Sequence, residues 1–140
     1  MNRFHSAIRI LAFVLVAGGL ASPVVRRAEA GVPNAATSTC PSAVFLTSDG
    51  GCCFDVVVRD VAGNPVAGAT VDVDFGSCRA TFCPTQGPGV TIQGNHAIVI
   101  GDAAGVAHFC LCGTIKGQCD AAIRADGVPL CTVPVKKKCP

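Results

Sequence analysis

The sequence predicts an all-β protein, an antiparallel β-sandwich of seven or eight strands, stabilised by disulfides and preceded by a signal peptide. Three observations carry this. Short runs rich in Val, Ile, Phe and Thr alternate with Gly, Asp, Asn and Pro at the spacing of a β-sandwich. No helical period of useful length interrupts them. All ten cysteines of the 140 residues follow an apolar N-terminal segment, and thiols delivered to an oxidising compartment pair as disulfides.

Arg3 and Arg9 precede the apolar stretch from Ile10 to Leu20, which is too short to span a bilayer comfortably and is followed by small residues. Ala28, Glu29 and Ala30 form an A-x-A cleavage site, with a cut after Ala21 as the alternative. The expected organisation is a cleaved signal peptide over residues 1–30, a cysteine-containing leading segment with the first strand over 31–53, and the remainder of a single domain over 54–140. Cleavage after Ala30 leaves 110 residues, enough for one modest core. It also turns the full-length charge of +2 into seven Lys and Arg against eight Asp, a net of −1. No basic field remains to attract nucleic acid, and no second long apolar segment follows, so no membrane insertion is expected after cleavage.

Along the mature chain a first strand is expected around Ala43 to Leu46. Phe54 to Arg59 forms the next, ended by Asp60-Val61-Ala62-Gly63, whose Asp and Gly suit a type I turn. Thr70 to Phe75 alternates strictly, with Val71, Val73 and Phe75 on one face and Thr70, Asp72 and Asp74 on the other. From Gly76 to Gly94 the pattern weakens into a loop region. Ala97 to Ile100 is a strand, followed by Asp102-Ala103-Ala104-Gly105, a second turn of the first type. Val106 to Cys112 places Ala107, Phe109 and Leu111 on one face and His108, Cys110 and Cys112 on the other. Gly113 to Gln118 then reads as a hairpin loop, Cys119 to Ala125 as a strand, and Asp126-Gly127 as a tight turn into Val128 to Val135.

The stretch Val57-Val58-Arg59-Asp60-Val61-Ala62-Gly63-Asn64-Pro65-Val66-Ala67-Gly68-Ala69-Thr70-Val71 resembles the opening strand pair of bacterial Ig-like domains of the invasin/intimin type. Gly101-Asp102-Ala103-Ala104-Gly105-Val106-Ala107-His108-Phe109, with Ala122 to Gly127, is similar to that family's second signature. Carboxypeptidase regulatory-like and transthyretin-like sandwiches share the first motif. Together the motifs span roughly residues 54 to 130. The resemblance implies an Ig-like sandwich serving as a spacer or adhesive module outside cells, although family members carry few cysteines and stand in tandem arrays.

The expected disulfide residues are Cys40, Cys52, Cys53, Cys78, Cys83, Cys110, Cys112, Cys119, Cys131 and Cys139. Adjacent Cys52 and Cys53 point to opposite faces of an extended chain and therefore need different partners. Cys112 with Cys119, across the expected hairpin, and Cys78 with Cys83 are the best-supported pairs. Cys40 with Cys131 or Cys139 would tie the termini. Metal binding by His108, Cys110 and Cys112 is the competing use of one strand face, but no paired C-x-x-C knuckle accompanies it.

Catalytic chemistry finds little support. After cleavage the chain has two histidines, His96 and His108, and no Glu, Tyr or Trp. Ser42, Ser48 and Ser77 lack a nucleophile-elbow context, and His96 reads as a solvated turn residue. Asp72 and Asp74 could face calcium, but polar-out alternation accounts for them. Lys136-Lys137-Lys138 reads as a solvated end. Expected catalytic, cofactor-binding and metal residues are therefore none, and no cofactor is expected. The expectation is a secreted or periplasmic non-enzymatic module whose partner is an unidentified extracellular protein or surface component. The alternative is a secreted effector or inhibitor presenting a disulfide-stapled loop, Phe82 to Gly94, to a protein target.

Overall fold

The computed structural model describes residues 31–140, which form nine strands and no helix. The expected signal peptide and its cleavage sites lie outside the described residues. The strands are β1 (Val44–Thr47), β2 (Cys53–Val57), β3 (Thr70–Asp74), β4 (Arg79–Phe82), β5 (Thr91–Gln93), β6 (His96–Ile100), β7 (Val106–Lys116), β8 (Asp120–Ala125) and β9 (Val128–Lys136). Their order is β2-β7-β1-β9-β8-β3-β6-β5, with β4 also paired to β7.

The apolar alternation that defines the strands also makes the core. Val71, Val73 and Phe75 are fully buried, as are Ala107, Phe109 and Leu111 from β7 and Ala121, Ile123 and Ala125 from β8. They belong to one cluster with Val44 and Leu46 of β1 and with Phe54 and Val56 of β2. Stacked rings of Phe54 and Phe109, 5.1 Å apart, add an aromatic contact across β2 and β7. Asp126 and Gly127, both at positive φ, join β8 to β9 in the tight turn their sequence demands. Leu130 is the extra residue of a bulge opposite Ile123 and Arg124, and the ladder interrupted there tolerates the neighbouring Pro129, which has no N–H to donate.

The sheet is mixed, not purely antiparallel. β1 runs parallel to both its neighbours, pairing Val44 and Phe45 with Val135 and Lys136 of β9, then Leu46 and Thr47 with Leu111 and Cys112 of β7. Tight turns force antiparallel neighbours, whereas β1 meets strands far away in sequence and no turn dictates its direction. Nine strands replace the expected seven or eight because β4 and β5 occupy the stretch read as loop. Both are short, and each pairs with a single named strand, so neither has the buried face that gives a strong sequence pattern.

A second correction follows from the length of β7. It continues to Lys116, and Gly113 is a strand residue facing the core: a β-carbon there would lie 2.5 Å from the Thr81 carbonyl oxygen and 2.9 Å from Leu46 Cδ1. The segment after Cys112 is therefore not a hairpin loop, and Cys112 does not pair with Cys119. Cys78 and Cys83 flank β4, whose extended chain sets them about 16 Å apart, well beyond the reach of a disulfide. The bridges instead join Cys78 to Cys119, Cys83 to Cys112, Cys53 to Cys110, Cys52 to Cys139 and Cys40 to Cys131. Among the described residues no cysteine is free.

Candidate functional site

β7 gathers most of the chemistry. Its outward residues are His108, Cys110 and Cys112, as the alternation requires. β2 pairs with it in a register that sets Cys53 opposite Cys110 and Asp55 opposite His108. Directly opposed side chains on one face of an antiparallel pair lie within contact distance, so four polar or sulfur-bearing groups share one exposed patch. His108 Nδ1 stands 2.5 Å from Asp55 Oδ1, and His108 Nε2 stands 3.3 Å from Cys110 Sγ. More than half of each of the His108 and Asp55 side chains is open to solvent.

The sulfurs of Cys53 and Cys110 and a ring nitrogen of His108 lie within 4.8 Å of one another. This differs from the trio considered from sequence, His108, Cys110 and Cys112, because Cys112 is tied to Cys83. Since Cys53 and Cys110 are bonded to each other, the cluster is a disulfide beside an imidazole, and the imidazole is held by a carboxylate.

Next to this patch, the segment after β4 is laid back along β7. The Gln86 side-chain amide donates to the carbonyls of Cys83 and Cys112, both at 2.9 Å, and its oxygen accepts the Cys112 N–H at 2.9 Å. Gly87 donates its N–H to the Cys110 carbonyl. With the Cys83–Cys112 bridge, these bonds give a loop without a strand ladder the hydrogen bonds its backbone needs.

The remaining sequence candidates fall elsewhere. His96 is the first residue of β6 and not a turn residue; its Nδ1 lies 3.0 Å from both carboxylate oxygens of Asp72, and its Nε2 lies 3.9 Å from Asp74. Ser77 donates to the Asp120 carbonyl, 2.7 Å away, and among the described residues no serine hydroxyl bonds His96. The three lysines at the end of β9 and beyond it line an open groove of about 780 Å³ with Gln118 and Asp120. Asp55, which holds His108, was not a sequence candidate. Its only signal is its place two residues after Cys53 on the polar face of β2.

Fold and bridges define the class: a small, disulfide-rich, all-β protein. Among the described residues no helix is long and apolar enough to cross a membrane. Five disulfides suit an oxidising extracellular or periplasmic setting. In comparisons with known proteins, no family model and no curated protein matches the chain. The likeness to invasin/intimin-type domains therefore rests on the two quoted motifs.

Proposed function

We propose that this chain is a secreted Ig-like β-sandwich that acts outside the cytoplasm as a structural or binding module and catalyses no reaction of its own. One observation carries the reading: all ten cysteines are paired over a core that is already continuous. Staples on a finished core serve endurance in a harsh, oxidising medium. The two-layer reading is supported by β1, which passes from β9 to β7 and so joins two groups of strands whose inward residues enter the same cluster. The partner would be an extracellular protein or surface component.

Recovering the expressed protein from each cell fraction tests this. Material in the medium or periplasm, beginning after Ala30 or Ala21 and carrying the five bridges, supports the reading. Intracellular material with free thiols overturns it.

A second reading, an effector that presents a stapled loop, is favoured by the three hydrogen bonds of Gln86 and the Cys83–Cys112 bridge. Such a loop meets a partner without ordering losses on binding. Replacing residues 84–90 with a short neutral linker should abolish target binding by an effector while the fold survives. In a structural module the same change should leave function intact.

A further inference from the structure

We infer that the Cys53–Cys110 bridge is a thiol-exchange site, a disulfide built to be opened by a dithiol, while the other four bridges are structural. Access sets this bridge apart. Cys53 is exposed, whereas Cys52 and Cys78 are buried and Cys40, Cys83, Cys112, Cys119 and Cys131 are half-buried. Cys139 is also exposed, but attack on its sulfur would expel the buried Cys52 as a thiolate, and a desolvated anion is a poor leaving group. Attack on Cys53 expels Cys110, whose sulfur has His108 Nε2 at 3.3 Å.

The surroundings supply what exchange requires. Rates depend on which sulfur is reachable and on how well the departing thiolate is stabilised. The Asp55 carboxylate accepts the Nδ1 proton of His108 and so aims Nε2 along the strand at Cys110, two residues on. The other described histidine, His96, has Asp72 and Asp74 as its partners and no sulfur at either ring nitrogen, so no second bridge has such a neighbour among the described residues.

The chemistry balances with a dithiol as co-reactant. One thiolate of the dithiol attacks Cys53 Sγ; its new S–S bond forms as the Cys53–Cys110 bond breaks, and the electron pair leaves on Cys110. That thiolate takes the Nε2 proton from the imidazolium form of His108, which is reprotonated by water. The second thiolate of the dithiol then attacks its partner sulfur in the mixed disulfide and releases Cys53, which takes a proton from water. The dithiol is oxidised to a disulfide, and Cys53 and Cys110 are reduced by two electrons. The β2–β7 ladder and four bridges remain, so the sheet persists in the open form.

The test is graded reduction of the folded oxidised protein with dithiothreitol, trapping of free thiols with iodoacetamide, and peptide mapping. Cys53 and Cys110 should be the first pair alkylated, with circular dichroism unchanged. Glutathione, a monothiol, should be found on Cys53 and not on Cys110. His108→Gln should slow opening about tenfold, below the range of a fully enclosed general acid because the ring is exposed, and Asp55→Asn should slow it less. Melting temperatures of the oxidised variants separate a change in reactivity from loss of fold. Opening of another bridge first, glutathione on Cys110, or an unchanged rate in a folded His108→Gln protein would overturn the assignment.

Discussion

The carbonyl of Gly105 accepts the N–H of Val58 at 2.8 Å, and a β-carbon on Gly105 would lie 2.5 Å from the Val58 carbonyl oxygen. The two sequence motifs that resemble each other thus meet in space. In each, an Asp carboxylate accepts two turn amides: Asp60 Oδ1 those of Ala62 and Asn64, and Asp102 Oδ1 those of Ala104 and Val106. Each ends the turn with a glycine at positive φ, Gly63 and Gly105.

Those two glycines should respond differently to alanine. Gly63 has open space around it, so Gly63→Ala meets only the left-handed backbone penalty, about 1–2 kcal/mol. Gly105→Ala adds a clash with the backbone of Val58 and Val66, which cannot move without disturbing the core, and should lose about 3 kcal/mol or more. Urea unfolding of the two variants checks the difference, and equal losses would mean that the turns do not pack as described.

Gln86→Ala should loosen the segment after β4 without unfolding the sheet. The substitution removes three hydrogen bonds and leaves the Cys112 N–H without its acceptor, a loss of about 1–3 kcal/mol. Hydrogen exchange should rise at Cys112 and Gly87 while the amides of β3 and β8 stay protected. Exchange that rises evenly over the molecule would contradict a local role.

Asp60 gives the acid limb of stability a traceable component. The side-chain amide of Asn64 and then its backbone N–H hold the Asp60 carboxyl below its ordinary value of 3.8. A carboxyl with a depressed folded-state value stabilises the fold above its unfolded value, and that contribution is lost as pH falls through the folded one. Asp60→Asn should therefore leave the neutral-pH slope unchanged and flatten the fall in melting temperature below pH 3.8. Carboxyl chemical shifts followed by NMR would locate the Asp60 titration directly.

How far the sequence reaches is clear from particular residues. Val71, Val73 and Phe75, the alternation around Phe109, the Asp126-Gly127 turn and the divergent partners of Cys52 and Cys53 all depend on local period or turn chemistry, and all are legible. Gly113 misleads, because a glycine used for close approach to Leu46 has the same letter as a glycine used to turn. Asp55 and His108 meet through a register linking positions 53 residues apart, which no local pattern encodes. The Cys78 and Cys112 pairings fail for the same reason: their true partners depend on which strands become neighbours.

The two bridges that tie the termini should back each other up. Cys40–Cys131 spans 91 residues and Cys52–Cys139 spans 87. Taken alone, a loop of the first length implies about 4.6 kcal/mol of stabilisation by the chain-entropy relation. With Cys52–Cys139 intact, the unfolded chain still connects Cys40 to Cys131 by a detour of only about 20 residues through the second bridge, for which the same relation gives about 3.3 kcal/mol. Cys40→Ser/Cys131→Ser should therefore lose about 3 kcal/mol, not nearly 5. Removing both bridges should cost more than the sum of the two separate removals, since the second loss opens a longer loop than either alone. Guanidinium unfolding of the two double variants and the quadruple variant measures this directly. Strict additivity would show that the bridges act through local native contacts and not through the unfolded chain.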